Sequence, residues 1–325
     1  MPQRNLLQYL IITAKGLAMG AADVVPGVSG GTIAFISGIY EELIETIHKI
    51  DLDFFKVWKK DGFLTAWKQY NLSFLLALFS GVFISIISLA KIITSLLEHH
   101  PILVWSFFFG LVIASIVYVG KQITKWKLSL IISLIIASVL SYLITIAEPF
   151  GTADSTWFLF FAGFIAIIAM ILPGISGAFI LLLLGAYQSV IGIITQLGSG
   201  ITSLDSSILF DAIWKLLIFG VGAITGLKVF SKVLNWMFKH HKNLILAVLT
   251  GFMIGALNKI WPWKEVLEYR MNHSGKLVPF IERSVLPQNF EGSPQVIYAI
   301  IFAVIGFLTI FLLEVFASKK NSKSV

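Results

Sequence analysis

The chain has 325 residues, 57% of them hydrophobic and 13% charged, with no cysteine and a formal net charge of +7. Soluble domains carry about a quarter charged residues, so this composition excludes an ordinary soluble globular protein. The lack of cysteine excludes a disulfide frame and a thiolate metal site.

Apolar runs near twenty residues are long enough to cross a bilayer as helices. In chain order they are expected at 6–25 and 28–47, then at 72–97, 102–119 and 128–147. A second set follows at 157–172 and 175–195, then at 209–238, 243–260 and 295–317. The runs are continuous rather than alternating, which argues against a transmembrane β-barrel. Polar connections are expected at 48–71, 120–127, 148–156, 196–208 and 261–294, with a tail over 318–325. The opening MPQRNLLQYL lacks a signal-peptide cleavage pattern and is expected to stay with the first segment. The fold class expected is an all-α polytopic membrane protein.

The first pair of segments is joined by DVVPGVSGGT, Asp23 to Thr32, and the sixth and seventh by ILPGISGAF, Ile171 to Phe179. Proline removes an N–H and clashes with a helical carbonyl behind it. Inside a membrane such a break is tolerated only where it is buried in protein or lines an aqueous cavity. A new helix is expected to start near Ser29–Thr32 with its first amides unpaired, which suits an anion. A tight hairpin tip that serves only close helix packing is the bland alternative. The candidate binding residues are therefore Gly27, Ser29, Gly30, Gly31 and Thr32, with Gly174, Ser176 and Gly177 from the second break.

The two lists of segments match. Aligning Pro26 with Pro173 pairs Gly16 with Gly163, Ser29 with Ser176, Gly38 with Gly185 and Tyr40 with Tyr187. With a slightly different offset, Gly81 meets Gly222, Lys91 meets Lys232, His99-His100 meets His240-His241, and Gly110 meets Gly251. Ordered matches in two blocks argue for duplication. The expected units are residues 1–150 and 151–325, each a Pro/Gly-broken, re-entrant hairpin plus three spans. A broken pair returns to its side of entry and three single spans follow. The second repeat is therefore expected inverted, with two breaks facing one another near the midplane as in secondary transporters.

Lysine and arginine place both termini in the cytoplasm. Arg4, Lys49, Lys56, Lys59, Lys60, Lys68, Lys121, Lys125, Lys127, Lys239, Lys242, Lys319, Lys320 and Lys323 then fall inside, while the connections 148–156 and 196–208 have neither residue type. The mixed-charge 261–294 connection departs from this bias. Trp105, Trp126, Trp157, Trp236 and Trp261 fall near expected span ends, as an aromatic belt requires.

Several charges lie within or beside the spans. Lys15 and Asp23 are eight residues apart on one face of the first limb, able to pair, to flank a ligand, or to snorkel in the case of Lys15. Asp23 beside the break is a candidate proton-coupling group or a cap for the next helix. Glu41 and Glu42 are candidate gate residues. Lys91 and Lys232 are candidate headgroup ligands from opposite leaflets, with interfacial snorkelling as the alternative. No metal site, cofactor or nucleotide motif is expected, so ATP is not the driver.

The stretch GAADVVPGVSGGTIAFISGIYEELI, Gly20 to Ile44, with its echo ILPGISGAFILLLLGAYQSVI, Ile171 to Ile191, resembles the bacterial polyprenyl-phosphate transporter family. The resemblance runs over nearly the whole chain. It implies a translocase that returns undecaprenyl phosphate from the outer to the cytoplasmic leaflet of the inner membrane, recycling the carrier for cell-wall and other surface polymers. The partners it implies are polyprenyl phosphate and the membrane, with no nucleic acid, and a homo-oligomer stays open. The second break has Ala178 and Phe179 where the first has Gly31 and Thr32, so its share in binding a headgroup is expected to be smaller. A secondary transporter or channel for a small anion uses the same break chemistry and is the alternative. A lipid-phosphate enzyme fits poorly: the three arginines, Arg4, Arg270 and Arg283, lie outside the expected spans.

Overall fold

The structure is a computed structural model that describes residues 4–24, 28–147, 155–203, 205–271 and 277–321. Its elements begin with α1 (Leu6–Val24), α2 (Gly30–Ile36), α3 (Tyr40–Lys49), α4 (Leu52–Asp61), α5 (Phe63–Gln69) and α6 (Leu72–His99). Then come α7 (Pro101–Gln122), α8 (Leu128–Ile146), α9 (Thr156–Ile171), α10 (Gly177–Leu183), α11 (Tyr187–Ser203), α12 (Ser206–His240) and α13 (Lys242–Ala256). Two strands, β1 (Lys264–Met271) and β2 (Leu277–Ser284), precede α14 (Val296–Asn321).

Among the described residues, four helical stretches are long and apolar enough to cross a membrane: Leu72–Leu89 of α6, then α7, α8 and α12. The pair α10–α11 makes a fifth candidate, bent by 109° at its break. Outward-facing leucine, isoleucine and phenylalanine line these helices, among them Ile87, Ile135, Phe210 and Ile224. Such a surface is stable only against lipid. The chain is a multi-pass, mainly helical membrane protein.

Two compact units are present, and each draws on both halves of the sequence. The first holds residues 1–86 and 149–245. In it α1 packs on α2 and on the start of α6, and α9 packs on α10 and α12. The contacts are glycine seams, which let helix backbones approach closely. A methyl group at Gly16 would strike the Leu78 carbonyl, and one at Gly163 would strike that of Phe219. The second unit holds residues 87–148 and 246–325. There α7 packs on α14 and α8 meets α13, again through Gly110, Gly306, Gly251 and Gly255. Ser141 Oγ donates to the Phe252 carbonyl at 2.8 Å across the α8–α13 contact.

Three sequence expectations change. The runs 28–47 and 175–195 are each two helices. Gly38 and Gly185 adopt φ of 73° and 68° and end α2 and α10 after seven residues each. In both, the glycine N–H and the next one bond back to the closing turn: Gly38 to Phe35 and Ile39 to Ala34, then Gly185 to Leu182 and Ala186 to Leu181. That double bond is a Schellman motif, and only glycine enters its left-handed position without strain. The connection 48–71 is not a polar loop but the helices α4 and α5. Phe54 and Val57 of α4 are half-buried, Phe55 and Trp58 are exposed, and Lys56, Lys59 and Lys60 fill the other arc. The connection 261–294 holds an antiparallel hairpin pairing Lys264 with Ser284 and Met271 with Leu277. This hairpin departs from an all-helical fold.

Candidate functional site

The site is built where the two breaks of the first unit meet. The chain leaves α9 at Leu172 and turns through Pro173 and Gly174, the latter at φ 86°, with Ile175 N–H closing on the Leu172 carbonyl at 3.4 Å. Proline and then a positive-φ glycine are what a type II turn requires. A helix end leaves carbonyls without partners. The first break and the start of α3 supply them: Ser29 Oγ lies 3.2 Å from the Met170 carbonyl and 3.4 Å from that of Leu172, and Tyr40 of α3 donates to the Ile171 carbonyl at 3.1 Å. In return Gly174 N–H donates to Thr32 Oγ1 at 2.9 Å. Ser29 and Thr32 are 2% and 1% exposed. Gly31 lies against the carbonyls of Met170 and Ile171, so a side chain there would push the breaks apart.

The first amides of α2, expected from the sequence to be unpaired, have partners. Gly30 N–H donates to Asp23 Oδ1 at 2.6 Å, and Gly31 N–H to Ser29 Oγ at 3.1 Å. A buried amide without a partner costs about 1–3 kcal/mol, and here the chain's own carboxylate and hydroxyl remove that cost. At the other end of α2, Lys15 Nζ donates to the Ser37 carbonyl at 2.5 Å. The spacing follows from helix rise: eight residues of α1 cover about 12 Å, and seven of α2 about 10 Å. The two charges therefore bracket α2, negative at its N-terminus and positive at its C-terminus, as its dipole favours. They do not pair with each other.

The remaining sequence candidates fall in four groups. Ser176 caps α10 by accepting from Phe179 N–H at a long 3.5 Å, and Gly177 packs against the Ala166 carbonyl of α9. Glu42 accepts from Arg4 at 2.6 Å and from Asn71 at 2.8 Å, while Glu41 pairs with Lys242 at 2.7 Å. Lys91 lies within α6, and Lys232 lies within α12 with an exposed side chain. Gly27 and Pro26 fall outside the described residues, as does the side chain of Lys91.

Two contributors were missed. Tyr40 is fully buried and reaches across to α9, and its match with Tyr187 was its only signal. Lys228 of α12 donates to the carbonyls of Ile47 and His48 at 2.9 and 3.0 Å, and to that of Ile50, closing the end of α3. A lysine inside a long apolar helix gives no hint of such a target.

A family model described as VCA0040-like, undecaprenyl phosphate translocase-like, matches residues 19–278, a span that includes both breaks. The chain belongs to this family. It is 46% identical over 285 residues to a polyprenyl-phosphate transporter of Vibrio cholerae serotype O1, covering 88% of each chain. It is 33% identical over 261 residues to a polyprenyl-phosphate transporter of Staphylococcus aureus, covering 76% of this chain and 84% of that one. Both relatives are named as transporters, not as enzymes. No solved structure matches.

Proposed function

We propose that this protein is a lipid-carrier translocase that returns undecaprenyl phosphate from the outer to the cytoplasmic leaflet of the bacterial inner membrane. The observation that carries the reading is the mutual capping of the two breaks, in which Ser29 Oγ faces the Met170 and Leu172 carbonyls and Gly174 N–H donates to Thr32 Oγ1. Each of these groups needs a partner in a water-poor site. When the breaks separate, the same hydroxyls and the Gly174 amide are left for a ligand rich in acceptor oxygens. A phosphate monoester is such a ligand, and its charge cannot cross hydrocarbon unaided. The prenyl chain stays in lipid while the headgroup passes the breaks.

Two inverted repeats, 1–150 and 151–325, would place these breaks across a pseudo-two-fold axis, with both termini cytoplasmic. Paired features support duplication: serine caps at 29 and 176, Schellman glycines at 38 and 185, and seam glycines at 16 and 163. Ser29, Gly30, Gly31 and Thr32 with Gly174, Ser176 and Gly177 hold the headgroup. Lys91 and Lys232 would receive it at the two surfaces. Glu41 and Glu42, already tied to Lys242 and Arg4, are the gate on the cytoplasmic side. Asp23 occupies the α2 amide where an oxygen of the phosphate would sit. Its protonation removes the charge that strengthens its hold on that amide, which favours the phosphate there and would couple transport to a proton gradient, with Lys15 holding the other end of α2.

The test is translocation in vesicles. Purified protein is reconstituted with labelled polyprenyl phosphate, and a phosphatase that cannot cross the bilayer attacks lipid in the outer leaflet. With the protein present, hydrolysis runs to completion as lipid from the inner leaflet becomes accessible. A plateau near half, the same as in empty vesicles, refutes the reading.

A further inference from the structure

The β1–β2 hairpin is clasped onto the second unit by three bonds. Trp261 Nε1 donates to the Val285 carbonyl and Trp263 Nε1 to that of Pro294, both at 2.8 Å, and Ser284 Oγ donates to the Asn258 carbonyl at 3.1 Å. Beneath the clasp lies a charge cluster that the transport reading does not use. Lys264 Nζ sits 3.6 Å from the centroid of the Trp105 ring and 3.6 Å from Glu282 Oε2. Lys259 Nζ approaches the same oxygen at 3.8 Å.

None of these three distances is a hydrogen bond. The Lys264 side chain is 7% exposed, and its Nζ is buried without a hydrogen-bond partner. The Trp105 face accounts for where the ammonium rests but not for its unused donors. The same hairpin holds a direct ion pair for comparison: Arg283 donates to Glu265 at 2.7 Å on its surface. Two ammonium groups here approach one carboxylate oxygen, and the more deeply buried of them, Lys264, leaves its donors unused. Burial pushes Lys264 down to about 8, with Glu282 opposing and Lys259 adding to the shift. Access is graded. Lys259 and Glu282, at 16% and 23% exposed, form the mouth, and Lys264 over Trp105 forms the floor.

We propose that Lys259 and Lys264 form a second binding site, for a phosphate monoester, in which Glu282 is a resident counter-ion that the ligand displaces. Two ammonium groups match a phosphate dianion once Glu282 turns outward from the mouth, and the phosphate oxygens can take the donors that Lys264 leaves unused. The choice of phosphate rests on the transport reading. The cluster itself does not, since it shares no residue with the breaks.

The experiment is titration calorimetry on the full-length protein in detergent, in a Ser29→Leu background so that the breaks add nothing. Inorganic phosphate, farnesyl phosphate and farnesol are the probes. A counter-ion and a structural clasp differ in sign. Glu282→Gln removes the competitor and raises phosphate affinity about tenfold, while Lys264→Met keeps the stem on Trp105 and lowers it at least tenfold. Lys259→Met, at the mouth, lowers it too and decides the matter if Lys264→Met does not fold. Stronger binding of farnesyl phosphate than of inorganic phosphate identifies a lipid headgroup, and equal binding identifies free phosphate. Affinity unchanged by both lysine variants, or lowered by Glu282→Gln, overturns the proposal. Wild-type protein is tested in parallel for vesicle translocation, so failure of the transport reading shows there and failure of this site shows only in the titrations.

Discussion

At the scale of the residue, Ser29 has the most concentrated role. Its one hydroxyl accepts from Gly31 N–H and faces two carbonyls at the end of α9, all in a buried place. Ser29→Ala leaves these groups unpaired and destabilises the fold by about 1–3 kcal/mol. Ser29→Leu adds a bulky side chain between the breaks and is expected to abolish vesicle translocation while folded protein remains in the membrane. Asp23 separates charge from capping. Asp23→Asn keeps an oxygen for Gly30 N–H, so headgroup binding should change little, while the pH dependence of translocation flattens. Binding lost together with transport would assign Asp23 to structure. The sequence made both residues visible because an acid, a hydroxyl and glycines in a greasy run have few bland uses. It could not show that the α2 amides are already occupied, since that depends on which way Asp23 folds back from α1.

At the scale of the element, the breaks were legible and their far ends were not. Proline and glycine at 26–27 and 173–174 announce an interruption, but Gly38 and Gly185 lie in apolar runs that read as continuous helix. What ends α2 and α10 is the left-handed conformation that only those glycines take up. The α4–α5 pair hid behind its lysines, because a count of charge overlooks an arc of Phe55 and Trp58 beside an arc of lysine. The hairpin at 264–284 hid behind mixed charge. Lys228 is the element-scale device with the clearest consequence, because it joins α12 to the end of α3, whose first turn holds Glu41 and Glu42. Hydrogen bonds to a charged group contribute about 1.5–3 kcal/mol. Lys228→Met should therefore lower the thermal midpoint and loosen α3, read as faster hydrogen exchange of the α3 amides. Unchanged exchange would show that α3 is held by its packing and ion pairs without Lys228.

At the scale of the whole molecule, one physical constraint links fold to function. Backbone groups cannot be left bare in lipid. A protein with two interrupted helices must let the interruptions satisfy each other or offer them to something polar. Here Ser29, Tyr40 and Thr32 meet Met170, Ile171, Leu172 and Gly174, and the proposed function makes a phosphate the alternative partner. The account therefore requires the breaks to come apart during each transport cycle. The absence of native cysteine allows this to be tested without background. Thr32→Cys and Leu172→Cys are introduced together, bridged by a short reducible cross-linker, and assayed for translocation of labelled polyprenyl phosphate in vesicles. The account predicts that the bridged protein stops transporting and that reduction restores it to the rate of the unbridged double variant. Transport at that same rate with the bridge intact would contradict it.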